Sequence, residues 1–301
     1  MGNMIAMLPA DLGSISPENP LKLRTVWLSD IHLGNNGCQV DFLLHFLRCT
    51  ETNYLFLAGD IIDMWSMQRR LYWPQKHNNA IRAFLGKAKH KTRVVFIPGN
   101  HDEKLREYCG LELGNISVQK QAVHTLANGK RMLILHGDEF DGVIGASRFI
   151  GKLGSVAYDF LLRMNIVLNW ARRILGRGHW SLSAYLKLKV KNAVKFISNY
   201  EDAVTWQATR QQVDAVVCGH IHHAELIPLN GLLYCNCGDW VESCSALVET
   251  MDGTLSLLVW NDKPHVLRQF VPSQWAELNG ATSATINPSG MEIYDAIGER
   301  V

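Results

Sequence analysis

Five short clusters of Asp, His and Asn recur along the 301-residue chain: Asp30-Ile31-His32, Gly59-Asp60-Ile61-Ile62-Asp63, Gly99-Asn100-His101-Asp102, His136-Gly137-Asp138 and Gly219-His220-Ile221-His222. Each has a plain structural explanation when taken alone. An Asp behind a strand commonly caps the helix that follows, and a His is often a hydrogen-bonded loop residue. Together they supply enough carboxylate, amide and imidazole donors for two divalent ions. Two ions about 3.5–4 Å apart stabilise the attacking and leaving oxygens of an in-line displacement at phosphorus, and they lower the pKa of a bound water toward 7. Hydrolytic phosphoryl transfer is therefore the expected reaction class.

Each cluster follows an apolar run. Thr25 to Leu28, Tyr54 to Ala58, Val94 to Pro98, Met132 to Leu135 and Asp214 to Cys218 have the length and composition of buried strands. Val40 to Leu47 and Asn79 to Lys89 carry apolar residues at helical spacing, so strand and helix alternate over the first hundred residues. In such an α/β sheet ligands collect at the carboxyl ends of strands, where these clusters stand. Asn128-Gly129, Asn230-Gly231 and Asp252-Gly253 each join apolar runs at hairpin spacing, which adds antiparallel strands. The predicted fold class is a layered α/β core over residues 22–273, preceded by an extension (1–21) and followed by a loosely ordered tail (274–301). Residues 145–210 break the rhythm with long helical periodicity and nearly one-signed basic charge, including Arg172, Arg173 and Arg177, and read as a helical insertion.

The series Asp30-x-His32, Gly59-Asp60-x-x-Asp63, Gly99-Asn100-His101-Asp102, His136 and Gly219-His220-x-His222 resembles the calcineurin-like metallophosphoesterase signature over roughly residues 24–225. The resemblance implies a β-sandwich flanked by helices. It implies that Asp30, His32, Asp60 and His222 hold one metal ion and that Asp60, Asn100, His136 and His220 hold a second, with Asp60 as the bridge. It also implies that His101 protonates the leaving oxygen or binds the phosphoryl group, with Asp63 orienting its ring. Imidazole suits proton transfer near neutral pH, and a carboxylate fixes its tautomer. Helix capping is the competing explanation for Asp63 and Asp102. The resemblance points to manganese, while the donor set also suits Fe, Zn or Ni.

Within the family, a helical segment between His136 and Gly219 resembles the UDP-2,3-diacylglucosamine hydrolase branch of lipid A synthesis. That branch cleaves a pyrophosphate to give a lipid phosphate and UMP. Apolar residues of 145–210 could take acyl chains while its Lys and Arg meet phosphates or an anionic membrane surface; a core-packed face with a solvated basic side is the plain alternative. One residue departs from the branch: His101 stands where it has Arg. Cleaving an anhydride expels a phosphate that leaves readily, whereas cleaving an ester expels an alkoxide that benefits from an acid. A soluble phosphomonoesterase or phosphodiesterase acting on nucleotides or phosphoproteins is thus a second reading. A non-catalytic interaction scaffold, the third, sits poorly with a complete ligand set.

Composition narrows the remainder. A net charge of +2 gives no general argument for nucleic acid, and none is expected as a partner. Seven cysteines without framework spacing suggest free thiols in a reducing cytoplasm, and Cys235 with Cys237 lack the second pair of a thiolate metal site. The first twenty residues show no signal peptide, and no run approaches the roughly 18 apolar residues of a membrane span. The expected location is the cytoplasm, with peripheral contact at the inner membrane surface. Nothing indicates the oligomeric state, and no role is evident for Tyr234 to Ser243.

Overall fold

The computed structural model describes residues 8–9, 12–141 and 182–281, and the side chains of these except 182–195 and 279–281. Strands β1 (Leu21–Leu28), β2 (Thr50–Ala58) and β3 (Arg93–Ile97) alternate with helices α1 (Val40–Arg48), α2 (Met64–Arg69) and α3 (Gln75–Lys89). The short strands β4 (Glu112–Leu113), β5 (Ile116–Val118), β6 (Ala122–Thr125) and β7 (Arg131–Ile134) follow. Helix α4 (Leu182–Arg210) leads into β8 (Ala215–Cys218), β9 (Glu225–Leu229), β10 (Leu232–Asn236), β11 (Ser245–Glu249), β12 (Leu255–Val259), β13 (His265–Phe270) and α5 (Gln274–Ala281). Among the described residues the strands form two sheets, ordered β13-β12-β11-β1-β2-β3-β5-β4 and β6-β7-β8-β10-β9. The fold is the α/β sandwich that the sequence predicts.

Side-chain alternation explains the layering. On β2, Leu55 and Leu57 pack with α1 and α3, while Phe56 and Ala58 face the second sheet. On β8, Ala215 and Val217 face the first sheet, while Val216 and Cys218 face α4. Strands buried on both faces read as unbroken apolar runs, which is why they stand out in the sequence. Helix α3 buries Ala80, Phe84 and Ala88, and α4 buries Tyr200, Val204 and Ala208, each set at four-residue spacing.

The structure moves two expected boundaries. The segment read as an insertion to residue 210 ends in core structure, because Tyr200, Val204 and Ala208 of α4 are buried against the second sheet. Residues 142–181, with Arg148, Lys152, Arg172, Arg173 and Arg177, lie outside the described residues, as do the side chains of Lys187, Lys189, Lys191 and Lys195. The expected loose tail begins instead with α5, whose Trp275 and Leu278 are buried in the core between the sheets. Burying such side chains contributes about 1.5–3 kcal/mol each toward ordering two helical turns that have little amphipathic pattern. Among the described residues no helix is long and apolar enough to cross a membrane.

A buried charge fastens the two sheets together. The Glu249 carboxylate on β11 accepts from Arg24 Nη1 (2.7 Å) and Thr25 Oγ1 (2.6 Å) on β1, and from the Ala127 N–H (2.6 Å) beyond β6. Burial raises its pKa, but the hydrogen bonds from His124, Thr25, Ala127 and Arg24 outweigh burial and hold it below the ordinary 4.5. A depressed carboxylate pKa stabilises the fold above its unfolded value, and that contribution is lost as pH falls through the folded value. Glu249→Gln is expected to cost about 3 kcal/mol at pH 7, the low end for a broken buried pair because Arg24 can rehydrate. The deficit should shrink below pH 4.5. Denaturant midpoints of the two proteins at pH 7 and at pH 3.5 measure both effects, and equal midpoints at pH 7 would refute the assignment.

Candidate metal centre

The strands β1, β2, β3, β7 and β8 end on one side of the sandwich, and the loops that leave them bring the clusters together. Asp30, His32, Asp60, His220 and His222 all have positive φ, between 50° and 70°. The left-handed backbone follows β1, β2 and β8 directly and brings Asp30, His32, Asp60 and His222 toward one another. Backbone hydrogen bonds fix the turns: Asp30 N–H to Gly59 O (3.0 Å), His32 N–H to Asp60 O (2.9 Å) and Trp240 N–H to Asp30 O (3.0 Å). Two glycines make room, since a Cβ at Gly99 would collide with the Asp60 carboxylate and one at Gly219 with that of Asp30.

Three overlapping donor groups result: Asp30, His32 and His222; His32, Asp60 and His101; and Asp30, Asp60 and His136, with the ligand atoms of each within 4.8 Å of one another. Asp60 is central. Its Oδ2 lies 3.5 Å from His136 Nε2, 3.8 Å from His101 Nε2 and 4.0 Å from His32 Nε2, and its Oδ1 accepts the His101 N–H at 2.8 Å. Asn100 Oδ1 stands 3.2 Å from His136 Nε2, which places the amide at the same point. His220 belongs to none of these three groups; its ring packs beside that of His136 (5.2 Å), with Nε2 2.8 Å from Asp141 Oδ1.

The donors fit metal ions. His32 Nε2 and His222 Nε2 face each other at 3.3 Å, roughly the separation that two nitrogens about 2.0–2.1 Å from one ion take. Asp30 Oδ1 is buried with no hydrogen bond of acceptable geometry, although His222 Nε2 is only 3.2 Å away. Burial pushes the Asp30 carboxyl up, yet His222, His136 and His32 outweigh it and hold it well below the usual range. Burial likewise raises Asp60, and His136 and His101 bring it below its ordinary value despite Asp30. The reverse holds for His222, which burial lowers and Asp30 lifts to about 9. Two buried carboxylates thus stay ionised only against positive charge, which divalent ions would supply.

The Asp63 carboxylate contacts both α2 and the His101 ring. Its Oδ1 caps α2 by accepting the Ser66 N–H (2.8 Å) and also holds His101 Nδ1 (2.9 Å). Its Oδ2 accepts from Ser66 Oγ (2.6 Å) and Asn35 Nδ2 (3.0 Å) and lies 3.5 Å from His32 Nδ1. The Trp65 ring packs on His101 at 4.4 Å. Asp102 stands at the N-cap of a 3-10 turn (Glu103–Tyr108) without a side-chain capping bond; its carboxylate accepts the N–H groups of Gly99 (2.6 Å), Ile61 (2.9 Å) and Ile62 (3.2 Å), tying the β2 and β3 loops together. Asp138 pairs with Arg106 (2.7 Å) and His223 with Glu225 (3.2 Å), both away from the centre.

The sequence reading missed Asn35, Trp65, Asp141 and Asp239. Asp239 had a signal: Gly238-Asp239 follows the apolar strand β10 as Gly59-Asp60 follows β2. Its Oδ1 accepts the N–H groups of Val241 (2.7 Å) and Glu242 (2.5 Å), and its Oδ2 lies 3.8 Å from His222 Nδ1. Tyr234 to Ser243 therefore buttresses the centre, with Ser29 Oγ donating to Gly238 O at 3.1 Å. Cys235 and Cys237 are buried free thiols whose pKa values burial pushes upward, the opposite of a thiolate site.

The calcineurin-like phosphoesterase family model matches residues 23–224. A UDP-2,3-diacylglucosamine hydrolase of Psychromonas ingrahamii is 23% identical over 251 residues, covering 79% of this chain and 97% of that protein. One of Blochmanniella pennsylvanica is 29% identical over 119 residues, covering 38% of this chain and 47% of the relative, so the matched region spans about half of that protein. Among solved structures, a phosphoesterase from E. coli aligns with a TM-score of 0.43 at 16% identity, over 82% of this chain and 98% of the other. A match to the family over well over half of its length makes this chain a member of the calcineurin-like phosphoesterases, and with it a metal-dependent phosphoester hydrolase.

Proposed function

We propose that the chain hydrolyses a lipid-linked phosphate, UDP-2,3-diacylglucosamine or a close relative, at a centre of two metal ions with manganese the first choice. The observation that carries the dinuclear reading is the buried pair Asp30 and Asp60 ringed by imidazoles, with Asp30 Oδ1 left without a hydrogen bond. Asp30, His32, Asp60 and His222 would hold one ion; Asp60, Asn100, His136 and His220 would hold the other. When bound, the ions supply Lewis acidity and a water nucleophile usable near neutral pH. Around them the protein's own groups orient and move protons. Asp63 anchors His101 at Nδ1, so a proton held on Nε2 faces the centre, and Trp65 keeps the ring from swinging away. The activity of the relatives on UDP-2,3-diacylglucosamine supports a lipid-linked substrate, and the basic, apolar sequence of residues 145–195 suits contact with an anionic inner membrane surface.

The buttressed His101 favours a second reading, an ester whose alkoxide must be protonated as it leaves. The two separate by product. With manganese supplied, wild-type protein is expected to release UMP from UDP-2,3-diacylglucosamine, followed by chromatography. No UMP alongside retained hydrolysis of a nitrophenyl phosphodiester would move the substrate to the second reading.

A further inference from the structure

Four of the five site imidazoles share one arrangement, and the fifth inverts it. In the four, Nδ1 is directed at an outer anchor: His32 and His101 at Asp63 (3.5 and 2.9 Å), His136 at Ala58 O (2.9 Å) and His222 at Asp239 (3.8 Å). Their Nε2 atoms are left for the centre. His220 is inverted, because the nitrogen engaged outside is Nε2, held by Asp141 Oδ1 at 2.8 Å. Its main chain is pinned by the N–H bond to Asp30 Oδ2 (2.9 Å), and its ring stands against those of His136 (5.2 Å) and Tyr200 (6.1 Å). With the backbone and Nε2 both fixed, Nδ1 is the nitrogen left to serve as a ligand.

From this we infer that Asp141 is a positioning residue for His220, accepting a hydrogen bond from Nε2–H so that the Nδ1 lone pair is presented to the second metal ion. The inference rests on the dinuclear reading above. A carboxylate behind a ligating imidazole fixes its tautomer, holds its orientation and raises its basicity. Asp141 is well placed for this, since its side chain is 34% exposed and that of His220 13%. The contact therefore forms at the rim, where the carboxylate remains hydrated and only the imidazole is committed inward. The residue adjoins a 3-10 turn over Asp138–Phe140, five positions after His136, so one short loop would supply one ligand of the second ion and steady another.

Manganese titration calorimetry and metal content after gel filtration test this on the full chain. Wild type is expected to bind two ions. Asp141→Ala should leave the first affinity unchanged and weaken the second about 10–100-fold, and Asp141→Asn, whose amide oxygen can still accept from Nε2–H, should recover part of the loss. On a His220→Ala background the Asp141→Ala change should add less than about twofold, since the two residues act as a unit. Undiminished binding of both ions by Asp141→Ala would overturn the inference, as would losses that multiply in the double variant, which would make Asp141 a ligand in its own right. A wild-type protein that takes fewer than two ions would instead overturn the dinuclear reading itself.

Discussion

Asp60→Asn is expected to abolish phosphodiester hydrolysis and to leave the protein with fewer than two bound ions. Asn tolerates the left-handed backbone that Asp60 adopts at φ 55°, so this variant keeps the turn and removes only the charge and the second bridging oxygen. The carboxylate it replaces reaches three imidazoles within 4.0 Å and fixes the His101 main chain besides. A loss larger than the roughly 10²–10³ typical of deleting one transition-state donor should follow, because the shared negative charge and one of the two bridging oxygens go at once. Metal analysis beside the rate decides the matter: full dinuclear occupancy in Asp60→Asn would end the case for a bridging role.

His101→Ala should behave differently, with metal content intact and the damage graded by leaving group. For an alkyl ester the loss is expected to be on the order of 10²–10⁴ in rate, and for a nitrophenyl ester or a pyrophosphate much smaller. The anchored geometry supports this, since His101 Nδ1 is engaged by Asp63 and its Nε2 points at the centre. Rates on a leaving-group series measure the gradient. Equal losses across the series would assign His101 to binding the phosphoryl group instead of donating a proton.

Much of this site was legible because its candidate ligands occupy one kind of place. Asp30, Asp60, Asn100, His136 and His220 each follow a strand buried on both faces, so apolar run and polar cluster mark each other. Hairpins were equally legible: Asn230 and Gly231 both take positive φ (50° and 77°), the conformation that the pair predicts between β9 and β10. What stayed hidden depends on distant pairing. Nothing local to β10 says that it lies parallel to β8, and nothing local to Asp141 says that it meets His220, 79 positions away. Helix α5 was hidden for a related reason, because Trp275 and Leu278 are ordered by the core they enter and not by their own periodicity.

The left-handed turns at Asp30, His32, Asp60, His220 and His222 carry a consequence for how such a chain can evolve. Each holds a side chain in a region where glycine rests without penalty, at a cost on the order of 1 kcal/mol per position. Replacement by glycine at any of the five would relax the backbone while deleting a donor. Backbone conformation alone therefore favours glycine at these positions, and selection for turnover must hold the side chains there against that local preference.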